Sequence, residues 1–206
     1  MAVHGAHQST VPAMSDRFCH QWRVGLRETG GQEVTMRMQG TRQLQRHTTV
    51  SVPVGVVYRL FMDNAELANW APVVDAVTDE HGGDDTGLGT TRTCAVTMNG
   101  KKGTMVERCV EAVPETRASF LVVDDSFGFN KMLTNYGFTV HFTATTSERT
   151  EVLIETFYTP AHPIATVLNK LIMRRKFRGV IDELLGGLRT LAEQRHNQPE
   201  DLSTPR

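Results

Sequence analysis

The chain has 206 residues, enough to bury one sizeable core with a tail to spare. Its 22 basic and 23 acidic side chains leave a formal charge of −1, without the basic surplus of a general nucleic-acid binder. No apolar run approaches the roughly 20 residues that span a bilayer, and the N-terminus has no apolar stretch of the kind a secretory signal needs.

Residues 1–40 are rich in Gly, Gln, Arg and His and follow neither a period of 2 nor one of 3.6. They read as a disordered or mis-annotated extension, with Met36 or Met38 as the expected true start. His4, His7 and His20 have nothing beside them to fix a ligand geometry, so no metal is expected there. Cys19, Cys94 and Cys109 lack metal-type spacing, and an odd count without a signal suits a reducing cytoplasm. The chain is therefore expected in the cytoplasm, without metal or cofactor.

Gln43 to Val52 is rich in Thr and Val and reads as a strand that Pro53 ends. Val54, Val57, Tyr58 and Phe61 recur at helical spacing, giving a short helix to about Met62 with Pro53 in its first turn. Asp63 or Asn64 can cap a second short helix, which reaches about Trp70 before Pro72 stops it. Six further strands follow at about 73–80, 89–98, 101–113, 116–124, 131–145 and 149–159. Turn residues separate most of them: Gly82-Gly83-Asp84-Asp85, Asn99-Gly100, Pro114-Glu115 and Thr146-Ser147-Glu148. Seven strands joined mostly by hairpins, with the helices kept apart from them, indicate an α+β fold.

Asn99-Gly100 fits a type I′ turn, which needs positive φ at both central residues. That turn pairs Met98 with Lys101, sets Cys94 opposite Met105 and Arg92 opposite Glu107. Arg92, Cys94, Val96, Met98, Met105, Glu107 and Cys109 share the face with the larger apolar side chains, which is assigned to the interior. An even-numbered turn at Pro114-Glu115 places Phe120 and Val122 on the same face, and an odd one turns them outward. The Arg92–Glu107 pair has two readings: a structural ion pair, or a polar anchor for a ligand carboxylate or carbonyl at the bottom of an apolar pocket. Farther on, Tyr136, Phe138, Val140 and Phe142 alternate inward, leaving His141 on the solvated face.

The last pattern runs from Pro163 to about Gln194 and would reach roughly 45 Å as one rod at about 1.5 Å per residue. Stepping 100° per residue, Ile164, Leu168, Leu171 and Ile172 fall on one side. Met173, Phe177, Val180, Ile181, Leu184, Leu188 and Leu191 fall on nearly the opposite side. Either the helix bends or breaks near Met173–Gly179, or its first half has a second apolar contact. Residues 177–194 are expected to clamp the sheet. The preceding piece, with Arg174, Arg175, Lys176 and Arg178 at the switch, is expected as a lid or as a surface for a partner or an anionic membrane.

The order of elements and several phrases resemble the START-like superfamily, also called SRPBCC, with its helix-grip fold. The phrases are VSVPVGVVYRLFMD, ELANWAPVV, GTMVERCVEAVPETRASF and the helix ending ELLGGLRTLAEQ, and the branch they most resemble is the polyketide cyclase/dehydrase and lipid-transport group. The resemblance implies a seven-stranded curved antiparallel sheet wrapped around the C-terminal helix, in a ligand-binding domain over residues 41–195 with a flexible tail at 196–206. It also implies a cavity between sheet and helix, but carries no catalytic residue. The candidates to line that cavity are Trp70, Arg92, Met98, Met105, Glu107, Phe120, Tyr136, Phe138, Met173 and Phe177.

Three functions are then open. The chain binds or carries a hydrophobic small molecule such as a lipid, a quinone-like or a polyketide-like compound. Alternatively, it is a cofactor-independent cyclase or dehydratase in which Arg92 or Tyr136 polarises a carbonyl and Glu107 moves a proton. As a third possibility, residues 164–178 dock on a partner or a membrane surface. Nucleic acid is not expected as a partner, nor is a transmembrane segment, and the oligomeric state is left open.

Overall fold

The computed structural model describes residues 40–198. The expectations for residues 1–39, including His4, His7, His20 and Cys19, lie outside the described residues, as does the tail beyond 198.

Seven strands form one antiparallel sheet: β1 (Arg42–Val50), β2 (Val74–His81), β3 (Thr91–Met98), β4 (Lys101–Val113), β5 (Arg117–Asp125), β6 (Leu133–Thr146) and β7 (Arg149–Pro160). Their order is β1-β7-β6-β5-β4-β3-β2, so every neighbour except β1–β7 is a sequential hairpin or meander pair. Between β1 and β2 lie α1 (Val54–Met62), a 3₁₀ turn (Asn64–Glu66) and α2 (Leu67–Trp70). Asp63 caps that turn, its carboxylate accepting the Ala65 N–H at 3.0 Å. The curved sheet wraps a C-terminal helical element of 35 residues, which is the helix-grip fold.

The Asn99-Gly100 hairpin has φ of 51° and 74° at its two central residues. It pairs Met98 with Lys101, Cys94 with Met105 and Arg92 with Glu107. The next turn is odd: Pro114, Glu115 and Thr116 join Val113 to Arg117, with Glu115 at φ 56°. By parity, this turn alone sends Phe120 and Val122 outward. A bulge at Val110 slips the register by one, so that Cys109 pairs with Phe120 and Glu107 with Val122. The bulge returns both side chains to the interior, where they are buried.

A second departure from the sequence reading precedes β6. Residues 131 and 132, expected in the strand, belong instead to a helical turn, α3 (Phe129–Met132). The Asp125 carboxylate holds it, accepting the Phe129 N–H at 2.9 Å and the Asn130 N–H at 2.8 Å.

The C-terminal element divides into α4 (Pro163–Leu168), a π-helical turn (Asn169–Met173) and α5 (Arg174–Asn197). A π turn holds one residue more than an α turn, and that extra residue rotates the apolar stripe. The break expected near Met173–Gly179 is this π turn, which ends at Met173. Asn169 fastens the turn: its Oδ1 accepts the Tyr158 hydroxyl at 2.7 Å and its Nδ2 donates to Gln43 Oε1 at 3.2 Å. Along α5, Phe177, Ile181, Leu185, Leu188 and Ala192 are buried against the concave face. Gly187 lies so close to α2 that a Cβ there would collide with the Trp70 carbonyl oxygen.

Candidate functional site

A cavity of about 120 Å³ lies between the concave face of the sheet and α5. Each element contributes through its inward side chains: Trp70 from the end of α2, Arg92, Cys94, Val96 and Met98 from β3, and Met105 and Glu107 from β4. Tyr136 and Phe138 on β6 and Ile154 and Thr156 on β7 face Phe177, Val180, Ile181 and Leu184 of α5 across it. For scale, an engineered apolar cavity of about 150 Å³ takes up benzene. This inner cavity therefore suits something near the size of one ring.

Of the ten candidate residues, Trp70, Arg92, Met98, Met105, Glu107, Tyr136, Phe138 and Phe177 line this cavity. Phe120 does not. It sits one layer behind, under the Arg92 guanidinium at 4.5 Å from carbon to ring centroid and stacked on Phe138 at 5.4 Å. Met173 does not line it either, because the π turn places it over a second chamber. The contributions of β7 and of Val180 and Leu184 were not anticipated. Ile154 and Thr156 belong to a strand whose face follows from the β6–β7 register, which no dipeptide signal announces.

One end of the cavity is polar. Arg92 is buried and donates from Nε and Nη2 to Glu107 Oε2 at 2.9 and 2.7 Å, and from Nη1 to Asn64 Oδ1 at 2.7 Å. These three bonds use one N–H on each guanidinium nitrogen, three of its five donors. Of the two readings of this pair, the ion pair is present: the Arg92 charge is answered by Glu107. Glu107 Oε1, by contrast, accepts no hydrogen bond among the described residues, and the Tyr136 hydroxyl makes none. Trp70 Nε1 and Thr156 Oγ1 are buried without hydrogen-bond partners among the described residues. Burial holds the Tyr136 phenol far above its ordinary pKa, keeping it protonated as a donor. Burial, reinforced by Glu107, pushes the Cys94 thiol up to about 12, so it carries no thiolate near neutral pH.

A second chamber of about 280 Å³ adjoins the first. It is lined by Met98 and Asn99 of the hairpin, Phe129 and Met132 of α3, and Leu168, Ile172, Met173, Lys176, Phe177 and Val180 of the C-terminal element. Met98, Phe177 and Val180 belong to both walls. Phe177 is the bulkiest part of the partition. Its ring stacks on Tyr136 at 5.7 Å and meets Phe129 and Tyr158 edge-on at 5.6 Å each. On the opposite face of the sheet, His141 meets Glu155 at 3.1 Å, away from both chambers.

Among the described residues, no three His, Cys, Asp or Glu side chains gather as metal ligands, and no helix is long and apolar enough to cross a membrane.

Comparison with known proteins points the same way as the geometry. The sequence model of a family described as polyketide cyclase / dehydrase and lipid transport matches residues 41–193. Among curated protein sequences none matches. Among solved structures, the ZhuI aromatase/cyclase from Streptomyces sp. R1128 is similar at 14% identity, with a TM-score of 0.62, over 75% of this chain and 94% of that one. A START superfamily protein from Mycobacterium smegmatis is 10% identical with a TM-score of 0.62, over 75% and 99% of the two chains. Norcoclaurine synthase from Thalictrum flavum, a point mutant in complex with a transition-state analogue, is 12% identical with a TM-score of 0.59, over 78% and 100%. At these identities the structural likeness establishes the fold alone.

Proposed function

The chain belongs to the polyketide cyclase / dehydrase and lipid transport family, and from that premise we propose that it binds or carries an uncharged hydrophobic small molecule in the cavity between the sheet and α5. The ligand's polar group would sit at the Glu107–Tyr136 end, with a ring-sized head in the inner cavity. Any longer tail would pass Phe177 into the outer chamber. The observation that carries this reading is the engaged state of Arg92 beside an unengaged Glu107 Oε1. A ligand hydroxyl can donate to Oε1. A ligand carboxylate would meet that same oxygen with no free cation to offset it, and desolvating an unpaired charge costs several kcal/mol.

The test is a matched pair of probes, a para-alkylphenol and the corresponding para-alkylbenzoate, titrated against the full chain by calorimetry at neutral pH. The phenol should bind at least about tenfold more tightly, a difference of about 1.4 kcal/mol. Equal or tighter binding of the benzoate removes the preference for neutral ligands. Failure of both, with a lipophilic dye also excluded, removes ligand binding at this cavity.

Catalysis of the cyclase/dehydratase type is the second reading, favoured by the same two groups. Glu107 Oε1 and the Tyr136 hydroxyl are the pair that would accept and donate protons. The Cys94 thiol, held protonated, is a poor nucleophile for it. Loss of turnover in Tyr136→Phe with unchanged binding would favour the enzyme over the carrier.

A further inference from the structure

We propose that the segment Pro163–Arg178 docks the protein on an anionic lipid surface. Ile164, Val167, Leu171 and Ile172 are 69%, 56%, 70% and 46% exposed, whereas Ala165, Asn169 and Phe177 on the other side of the same segment are buried. Isolated exposed aliphatic residues are ordinary on a protein surface, but four on consecutive turns of one helical segment form an apolar ridge that has no partner among the described residues. Charge identifies what covers it. Between Glu155 and Asp182 the sequence holds no acidic residue, yet Lys170, Arg174, Arg175, Lys176 and Arg178 fall there, in a chain whose formal charge is −1. All five are exposed, and among the described residues none of them pairs with a carboxylate. Arg174 donates to the Gln43 carbonyl at 2.7 Å, which leaves its charge unneutralised.

Aliphatic side chains backed by long cations are the composition of an interfacial amphipathic helix. The apolar ridge enters the headgroup–acyl boundary, and the lysine and arginine heads stay at the level of the phosphates. Neither element suffices alone at ordinary ionic strength; the two together make a stable attachment. A protein partner would more commonly be held by aromatic anchors, and the ridge contains none. The orientation is also informative. Leu168, Ile172 and Lys176 line the outer chamber, so attachment by this segment turns that chamber toward the bilayer. Docking does not depend on the inner cavity's ligand, and it can be tested without one.

The experiment is co-sedimentation of the full chain with vesicles of phosphatidylcholine alone, or with about 30% phosphatidylserine, at about 0.1 M salt. Binding should be at least about tenfold stronger to the anionic vesicles and should weaken as salt is raised. Leu171→Asp with Val167→Asp should abolish binding to both vesicle types. Arg175→Glu with Arg178→Glu should remove the preference for phosphatidylserine. These four positions line neither chamber, so melting temperature and probe binding should be unchanged in each variant. Unchanged sedimentation of the Val167/Leu171 variant, or no binding of the parent to anionic vesicles, overturns the proposal. A concentration-dependent dimer that Leu171→Asp disperses, without vesicle binding, also overturns it and assigns the ridge to a second copy of the chain.

Discussion

Arg92 and Glu107 form the side-chain pair on which the site's chemistry turns. Removing one partner leaves the other buried and unanswered, so Arg92→Met should cost about 3 kcal/mol and lower the melting temperature markedly. Replacing both by apolar residues of similar volume, Arg92→Met with Glu107→Leu, should restore most of that stability. It should also erase the discrimination between phenol and benzoate, which separates the pair's structural role from its recognition role. Burial gives the site a second signature, in its pH response. The Cys94 thiol and the Tyr158 phenol are each held up to about 12, with burial as the main cause. Both groups keep their protons in the folded state at pH values where the unfolded chain releases them. Their contribution is therefore complete below the unfolded values near 9 and 10 and is lost as pH climbs toward 12. Denaturant midpoints should fall steadily from about pH 9 upward, and Cys94 should resist thiol reagents at pH 8 until the protein is unfolded.

Helix placement rests on two local devices. The first is the Tyr158–Asn169–Gln43 clasp, which fixes the π turn to β7 and β1. Tyr158→Phe deletes a buried hydrogen bond and strands the Asn169 oxygen, so it should cost about 1–2 kcal/mol. Amide exchange should quicken over residues 163–176 more than over 181–192. The second is Gly187, where any side chain forces α5 away from the Trp70 carbonyl. Gly187→Ala should cost about 1–3 kcal/mol despite the higher helix propensity of alanine, and near-ultraviolet circular dichroism should report the shift of Trp70. These elements also mark what could be read from the sequence. The Asn99-Gly100 hairpin was legible because two adjacent residues determine its turn, and the turn determines which side chains face each other. The bulge at Val110 was not, since counting along a strand assumes a constant step and the bulge inserts one residue; the π turn at 169–173 showed only as a reversal of the apolar face, which marks a break without giving its kind. For the site, alternation identified the inward residues of β3, β4 and β6. Counting did not separate Phe120, which packs behind the inner cavity, or Met173, which faces the outer chamber, from the inner wall, because that depends on the depth of packing.

Across the whole domain, the two chambers and the aromatic partition between them act as one unit. Phe177→Ala should open the partition, lower stability by about 3 kcal/mol as a buried aromatic is deleted, and raise the relative affinity for longer-tailed phenols. A ligand that never crosses Phe177 would instead be bound less well by the variant at every tail length. The sheet order has a further consequence, for how the domain comes into being. Among the described residues β1 is an edge strand whose sole neighbour is β7, in a register that joins Arg42 to Phe157 and Val50 to Thr150. During synthesis the first strand of the domain therefore waits, unpaired, until the last strand has been made, while the five hairpin-linked strands between them can already associate. Closing so long a loop is slow, and a waiting edge is open to pairing with other chains. A nascent chain stalled near residue 148 would hold a meander with β1 and α1 unanchored. The next dozen residues supply the missing partner, and the clamp helix follows directly behind it.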